Sequence, residues 1–152
     1  MMPTILLVTG NQHVLDSNPG SSGLYDFLAE YVHKRGCIIE RVTPEKAQKR
    51  GTIHSGIEYL LAHSAGTTLI LQGYRPELFP KVKGVVLFDP NEEYAQQWNG
   101  WTVPKVAFIS VAAGRPYAYG FLNSVFLEDG HFFLNSFQKI KEGLDGMIIG
   151  SG

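Results

Sequence analysis

Residues 58–68 read EYLLAHSAGTT. An apolar run ends at His63-Ser64-Ala65-Gly66, and the segment 67–72 (TTLILQ) is compatible with a helix. A strand that gives way to a helix at a single serine admits two explanations. One is plain packing in a tight turn; the other is chemistry at an exposed hydroxyl. What the chain places before and after this step decides between them.

Apolar runs recur on both sides of it, at 4–8 (TILLV), 37–42 (CIIERV), 57–62 (IEYLLA), 84–88 (GVVLF), 106–111 (VAFISV) and 124–127 (SVFL). Several are rich in Val and Ile with little polar alternation, which is how strands buried on both faces read. The intervening segments are helix-compatible. Residues 24–34 put Leu24, Phe27, Leu28 and Tyr31 on one face and stop at Gly36. Thr43-Pro44-Glu45 offers a cap and a first-turn proline for another helix. In 132–144, Phe133, Phe137, Ile140 and Leu144 fall at helical spacing. Strands alternating with helices predict right-handed βαβ units and a three-layer α/β sandwich around a mostly parallel six-stranded sheet. The expected strand order is 2-1-3-4-5-6.

The chain has 152 residues, a net charge of −1 and ordinary composition, so a single domain over 1–149 is expected, with 150–152 as a flexible tail. The near-zero charge gives no electrostatic case for nucleic acid or an anionic membrane surface. Cys37 is the only cysteine, which removes an internal disulfide and a cysteine metal cluster. The start, MMPTILLVTG, lacks the pattern of a signal peptide, and no apolar run reaches membrane-spanning length. A cytoplasmic location is the expectation.

In a parallel sheet, ligands bind beyond the carboxyl ends of the strands, near the point where strand order reverses. Thr9-Gly10-Asn11, Ser64, Asp89 and His131 all follow such ends. Here the residues resemble the α/β-hydrolase superfamily, whose nucleophile elbow is G-x-S-x-G between a strand and a helix. Ala62-His63-Ser64-Ala65-Gly66 occupies that position, with alanine for the first glycine. Ser64, Asp89 and His131 also follow the superfamily's order of nucleophile, acid and base. The resemblance implies a minimal α/β-hydrolase fold and a small serine hydrolase acting on carboxylic esters or thioesters, with no cofactor; no pair of histidines has metal-ligand spacing, so no metal is expected.

The same resemblance assigns roles. Ser64 is the nucleophile and His131, in Asp129-Gly130-His131-Phe132-Phe133, the base. The acid is Asp89, one strand earlier than most members carry it. The usual loop, Ala112-Ala113-Gly114-Arg115-Pro116-Tyr117, has no carboxylate. Asp129 is the alternative acid, and a Ser-His dyad a third arrangement. The oxyanion donors are the Ala65 N–H and that of Asn11, or else Gln12. Gln12, His63, Trp98 and Tyr117 are the substrate-binding candidates, with packing as the alternative role for His63 beside the nucleophile, and His13, in the first loop, is a further residue within reach of substrate. Only residues 91–104 separate the fourth and fifth strands, too few for a large lid. The expected site is therefore shallow, walled by Tyr94, Trp98, Trp101, Tyr117 and Tyr119. The competing reading of those aromatics is a cover for the sheet edge or a contact in a homo-oligomer. His33 and His54 read as helix-surface residues.

Two rivals share the same architecture. A flavodoxin-like FMN-binding protein would use Thr9-Gly10-Asn11 against phosphate and Trp98 or Tyr117 against the flavin. It leaves His-Ser-Ala-Gly and Asp-Gly-His without a purpose. A catalytically inactive hydrolase-fold binding module is the other.

Overall fold

The computed structural model describes residues 3–17, 20, 22–47, 53–111 and 123–147. Tyr117, Tyr119, the loop 112–117 and the tail 150–152 lie outside the described residues. Six strands form one sheet: β1 (Thr4–Val8), β2 (Ile38–Val42), β3 (Ile57–His63), β4 (Gly84–Phe88), β5 (Lys105–Ser110) and β6 (Asn123–Leu127). The order is β2-β1-β3-β4-β5-β6 and every pairing is parallel. The chain runs from β1 outward to β2, then returns to the other side of β1 as β3. That reversal opens a crevice at the carboxyl ends of β1 and β3.

The strand residues divide between two cores with a period of two, as a pleated strand dictates. Ile5, Leu7, Tyr59, Leu61, Val86, Phe88 and Phe108 face α2 (Gly23–Lys34) and α4 (Phe137–Gly146), meeting Leu24, Tyr25, Leu28, Ile140 and Leu144. Leu6, Val8, Leu60, Ala62, Val85, Leu87, Ala107 and Ile109 face the other way. There they meet Ile70 of α3 (Ala65–Gly73) and Ala95, Trp98 and Trp101 around the 3-10 segment Glu92–Gly100. Both faces are covered, which explains the unbroken apolar runs. A short helix, α1 (Gln12–Ser17), follows β1 and includes His13, expected in a loop. No helix among the described residues is long and apolar enough to cross a membrane.

Four local expectations are corrected. Pro44–Lys46 is a turn, not the start of a helix; the N–H groups of Lys46 and Ala47 close it on the Thr43 carbonyl. The last helix starts at Phe137, five residues later than its apolar spacing suggests. Phe133 reaches the core with φ 55°, a left-handed conformation that no α-helix accommodates. His54 lies outside any helix, its ring stacked on Phe79 with centroids 4.8 Å apart. Trp98 and Trp101 do not wall an open site: they are 0% and 3% exposed, packed against each other under the 3-10 segment. Burying two indoles over that face of the sheet outweighs presenting them to solvent.

Candidate active site

Ser64 stands between the last residue of β3 and the first of α3. Its backbone has φ 55° and ψ −119°, a conformation that costs a side-chain-bearing residue about 1–3 kcal/mol. Two contacts hold it there. The Ser64 N–H continues the sheet ladder to the Phe88 carbonyl at 2.9 Å. Gly66 presses against the end of β1 so closely that a Cβ would lie 2.3 Å from the Val8 carbonyl oxygen. The small residue two positions after the serine is thus a steric requirement. Ala62, two positions before it, is fully buried.

Asp89 begins where β4 ends and also has a positive φ, 50°. Its N–H bonds the Phe108 carbonyl at 2.9 Å, extending the ladder by one residue. The side chain is completely buried and heavily used. Oδ1 accepts the Ser110 N–H at 2.7 Å, and Oδ2 accepts the Ser110 hydroxyl and, at 2.7 Å, His131 Nδ1. A carboxylate only accepts, so His131 Nδ1 carries a proton, and in the neutral ring the lone pair is on Nε2. That is the tautomer a general base needs when Nδ1 faces its orienting acid. His131 follows β6, and its side chain is 26% exposed.

Asp129 is turned away from this pair. It accepts bonds from Gly130 N–H (2.7 Å), Asn135 N–H (2.8 Å) and Ser136 Oγ (2.7 Å), tying the loop before α4. Burial alone raises its carboxyl, but the Ser136, Asn135 and Gly130 donors outweigh that and hold it below the ordinary value.

The loop after β1 faces the same edge. Thr9 N–H is bonded to the Val42 carbonyl, Gly10 N–H to the Tyr25 hydroxyl, and Gln12 N–H to the Glu45 carboxylate. The Asn11 N–H keeps no partner among the described residues, and neither does that of Ala65, the first residue of α3. Of the two alternatives for the second oxyanion donor, Asn11 is the uncommitted one. The same accounting works against a phosphate cradle: the neighbouring N–H groups are spent, and Glu45 sets a negative charge beside the loop.

Ser64, Ala65, Thr68, Asp89 and Asn91 line a cavity of about 210 Å³. A larger one, about 500 Å³, lies beside the β1 loop and is lined by Thr9, Gln12, Arg41, Val42, Thr43 and Lys46 among others. Gln12 is thus on an accessible surface, its amide bonded to Asp16. His63 is not. It is fully buried, with Nδ1 2.7 Å from the Tyr25 hydroxyl and Nε2 2.7 Å from the His131 carbonyl oxygen. It has no surface with which to touch substrate. Tyr25, its partner, escaped the sequence reading: nothing local marks a hydroxyl on a helix core face as reaching a residue 38 positions away.

Among the described residues no three His, Cys, Asp or Glu side chains gather to hold a metal ion. No protein-family model matches this sequence, and no curated protein matches it either.

Proposed function

We propose that the protein is a serine hydrolase of the α/β-hydrolase type that cleaves carboxylic esters or thioesters. The observation that carries this reading is the left-handed Ser64 at the β3–α3 step, on the same sheet edge as the Asp89–His131 pair. Strain of this kind persists where surrounding structure holds it and is concentrated at functional sites.

In this reading His131 Nε2 takes the Ser64 hydroxyl proton as Oγ bonds to the carbonyl carbon. The carbonyl π pair moves to oxygen, and the Ala65 and Asn11 N–H groups hold the resulting oxyanion. Collapse expels the alcohol or thiol, which leaves with the proton from His131. Water then attacks the acyl-enzyme, giving its proton to His131 as its oxygen bonds to carbon. The carboxylic acid departs and Ser64 recovers its proton. Asp89 holds the imidazole in the productive tautomer and balances its transient charge.

The test is labelling by a fluorophosphonate probe, followed by ester and thioester substrates of graded acyl length. Wild type should label at Ser64. Ser64→Ala should not label and should lose turnover by about 10³-fold or more while remaining folded. An unlabelled wild type, or label and turnover that survive Ser64→Ala, overturns the reading and leaves a binding module.

A further inference from the structure

We propose that Tyr25 and His63 act as a buried pair of positioning residues, joining the oxyanion loop to the loop that carries His131; this rests on the hydrolase reading above. With the His63 ring neutral, the hydrogen bonds run in one direction. A backbone carbonyl only accepts, so the contact between His63 Nε2 and the His131 carbonyl puts the His63 proton on Nε2. In a neutral ring Nδ1 is then an acceptor, and the Tyr25 hydroxyl donates to it at 2.7 Å. That hydroxyl in turn accepts the Gly10 N–H at 3.0 Å. The chain reads Gly10 N–H to Tyr25 O–H to His63 Nδ1, and His63 Nε2–H to the His131 carbonyl. Burial pushes the Tyr25 hydroxyl up to about 12, against the Gly10 bond and the nearby Arg41, so it keeps the proton it donates.

What this chain connects gives it a purpose beyond filling space. Gly10 precedes Asn11, an oxyanion donor. His63 precedes Ser64 and is the last residue of β3. His131 is therefore held at three points: Nδ1 on Asp89, the main-chain carbonyl on His63, and its ring beside the His63 ring, with centroids 4.6 Å apart. Asp89 fixes which way the imidazole turns. His63 fixes where its backbone stands relative to the nucleophile. A leucine or phenylalanine could fill the same volume but could not make either bond.

Two amide replacements separate the bonds. Glutamine sets its amide near the imidazole Nε2 position and can still donate to the His131 carbonyl. Asparagine sets its amide near Nδ1, keeping Tyr25 and abandoning His131. If positioning is the role, His63→Asn should lower kcat by about 10²-fold, the scale of a misplacement near 1 Å, with KM within about twofold. His63→Gln should stay within about tenfold of wild type, and Tyr25→Phe should lower kcat by about tenfold at constant KM. Tyr25→Phe loses only a hydroxyl and carries the test should a His63 variant fail to fold, as judged by circular dichroism.

The second readout is the downfield proton resonance of His131 Nδ1–H on Asp89, assigned by its loss in Asp89→Asn. It should persist in His63→Gln and Tyr25→Phe, which keep the bond to the His131 carbonyl, and broaden in His63→Asn. Equal losses in the two amide variants, or wild-type kcat in Tyr25→Phe, would overturn the proposal. A wild type that fluorophosphonate does not label, but whose resonance still responds to His63→Asn and not to His63→Gln, would sink the hydrolase reading while leaving the positioning of His131 by His63 standing.

Discussion

Gly66→Ala tests the elbow at its tightest point. The new Cβ would lie 2.3 Å from the Val8 carbonyl oxygen, 2.7 Å from that of Thr9 and 2.8 Å from the Val8 carbonyl carbon. All three are main-chain atoms at the end of a central strand, so none can swing aside as a side chain would. Cβ contacts below 3.0 Å essentially do not occur, so the start of α3 must withdraw from β1 by at least 0.7 Å, the difference from 2.3 Å. Overpacking on this scale costs about 1–3 kcal/mol. The withdrawal also carries Ala65 and Ser64 with it, and a displacement approaching 1 Å costs about 10²-fold in rate. Urea unfolding reads the first quantity and the second-order rate of fluorophosphonate labelling reads the second. Gly100→Ala is the control: nothing lies within 4 Å of its Cβ, and stability should move by no more than about 0.5 kcal/mol. An unchanged midpoint and labelling rate in Gly66→Ala would refute the close approach and the geometry built on it.

Asp89→Asn should lower labelling and turnover by about 10³–10⁴-fold, because an amide facing Nδ1 favours the wrong imidazole tautomer. Asp129→Asn should act mainly on stability; if it impairs labelling as much as Asp89→Asn does, the acid has been assigned to the wrong residue. The depressed Asp129 carboxyl contributes stability that is complete above its ordinary value of 3.8 and disappears as the pH falls through its lower folded value. Unfolding free energy measured from pH 5 downward should therefore fall less steeply in Asp129→Asn than in wild type, and parallel slopes would contradict this. Trp98→Ala should destabilise by about 3–5 kcal/mol in chemical denaturation, as expected for a fully buried indole. A stable Trp98→Ala that merely binds substrate worse would return Trp98 to the site wall.

The strands were legible in the sequence because both faces of the sheet are covered, leaving long Val- and Ile-rich runs between polar turns. The edge bearing Ser64, Asp89 and His131 was legible for the same reason, since each directly follows a strand or its turn. What escaped notice depends on contacts remote in sequence. Phe133 has the spacing of a helical core residue but reaches the core from a left-handed turn, so spacing alone began α4 too early. Thr43 and Pro44 have the chemistry of a helix start, while Glu45 is engaged with the Gln12 N–H across the β1 loop. Trp98 looked like a surface aromatic because local polarity surrounds it; the apolar sheet face that claims it comes from β3, β4 and β5. His63 read as a pocket or packing residue because it adjoins the serine. Strand alternation turns it inward instead, toward Tyr25.

The candidate residues do not rest on equally durable parts of the sheet. Ser64 and Asp89 extend β3 and β4, each flanked by strands on both sides, whereas the His131 loop follows β6, which among the described residues lies at the margin of the sheet and pairs only with β5. On that strand Phe126 remains 46% exposed. Marginal strands with few buried contacts open at lower free energy than a central core. Fraying of this border would carry His131 away from a Ser64 still rigidly presented, so under the proposed reading heat or mild denaturant would silence the site reversibly while most of the sheet remained intact.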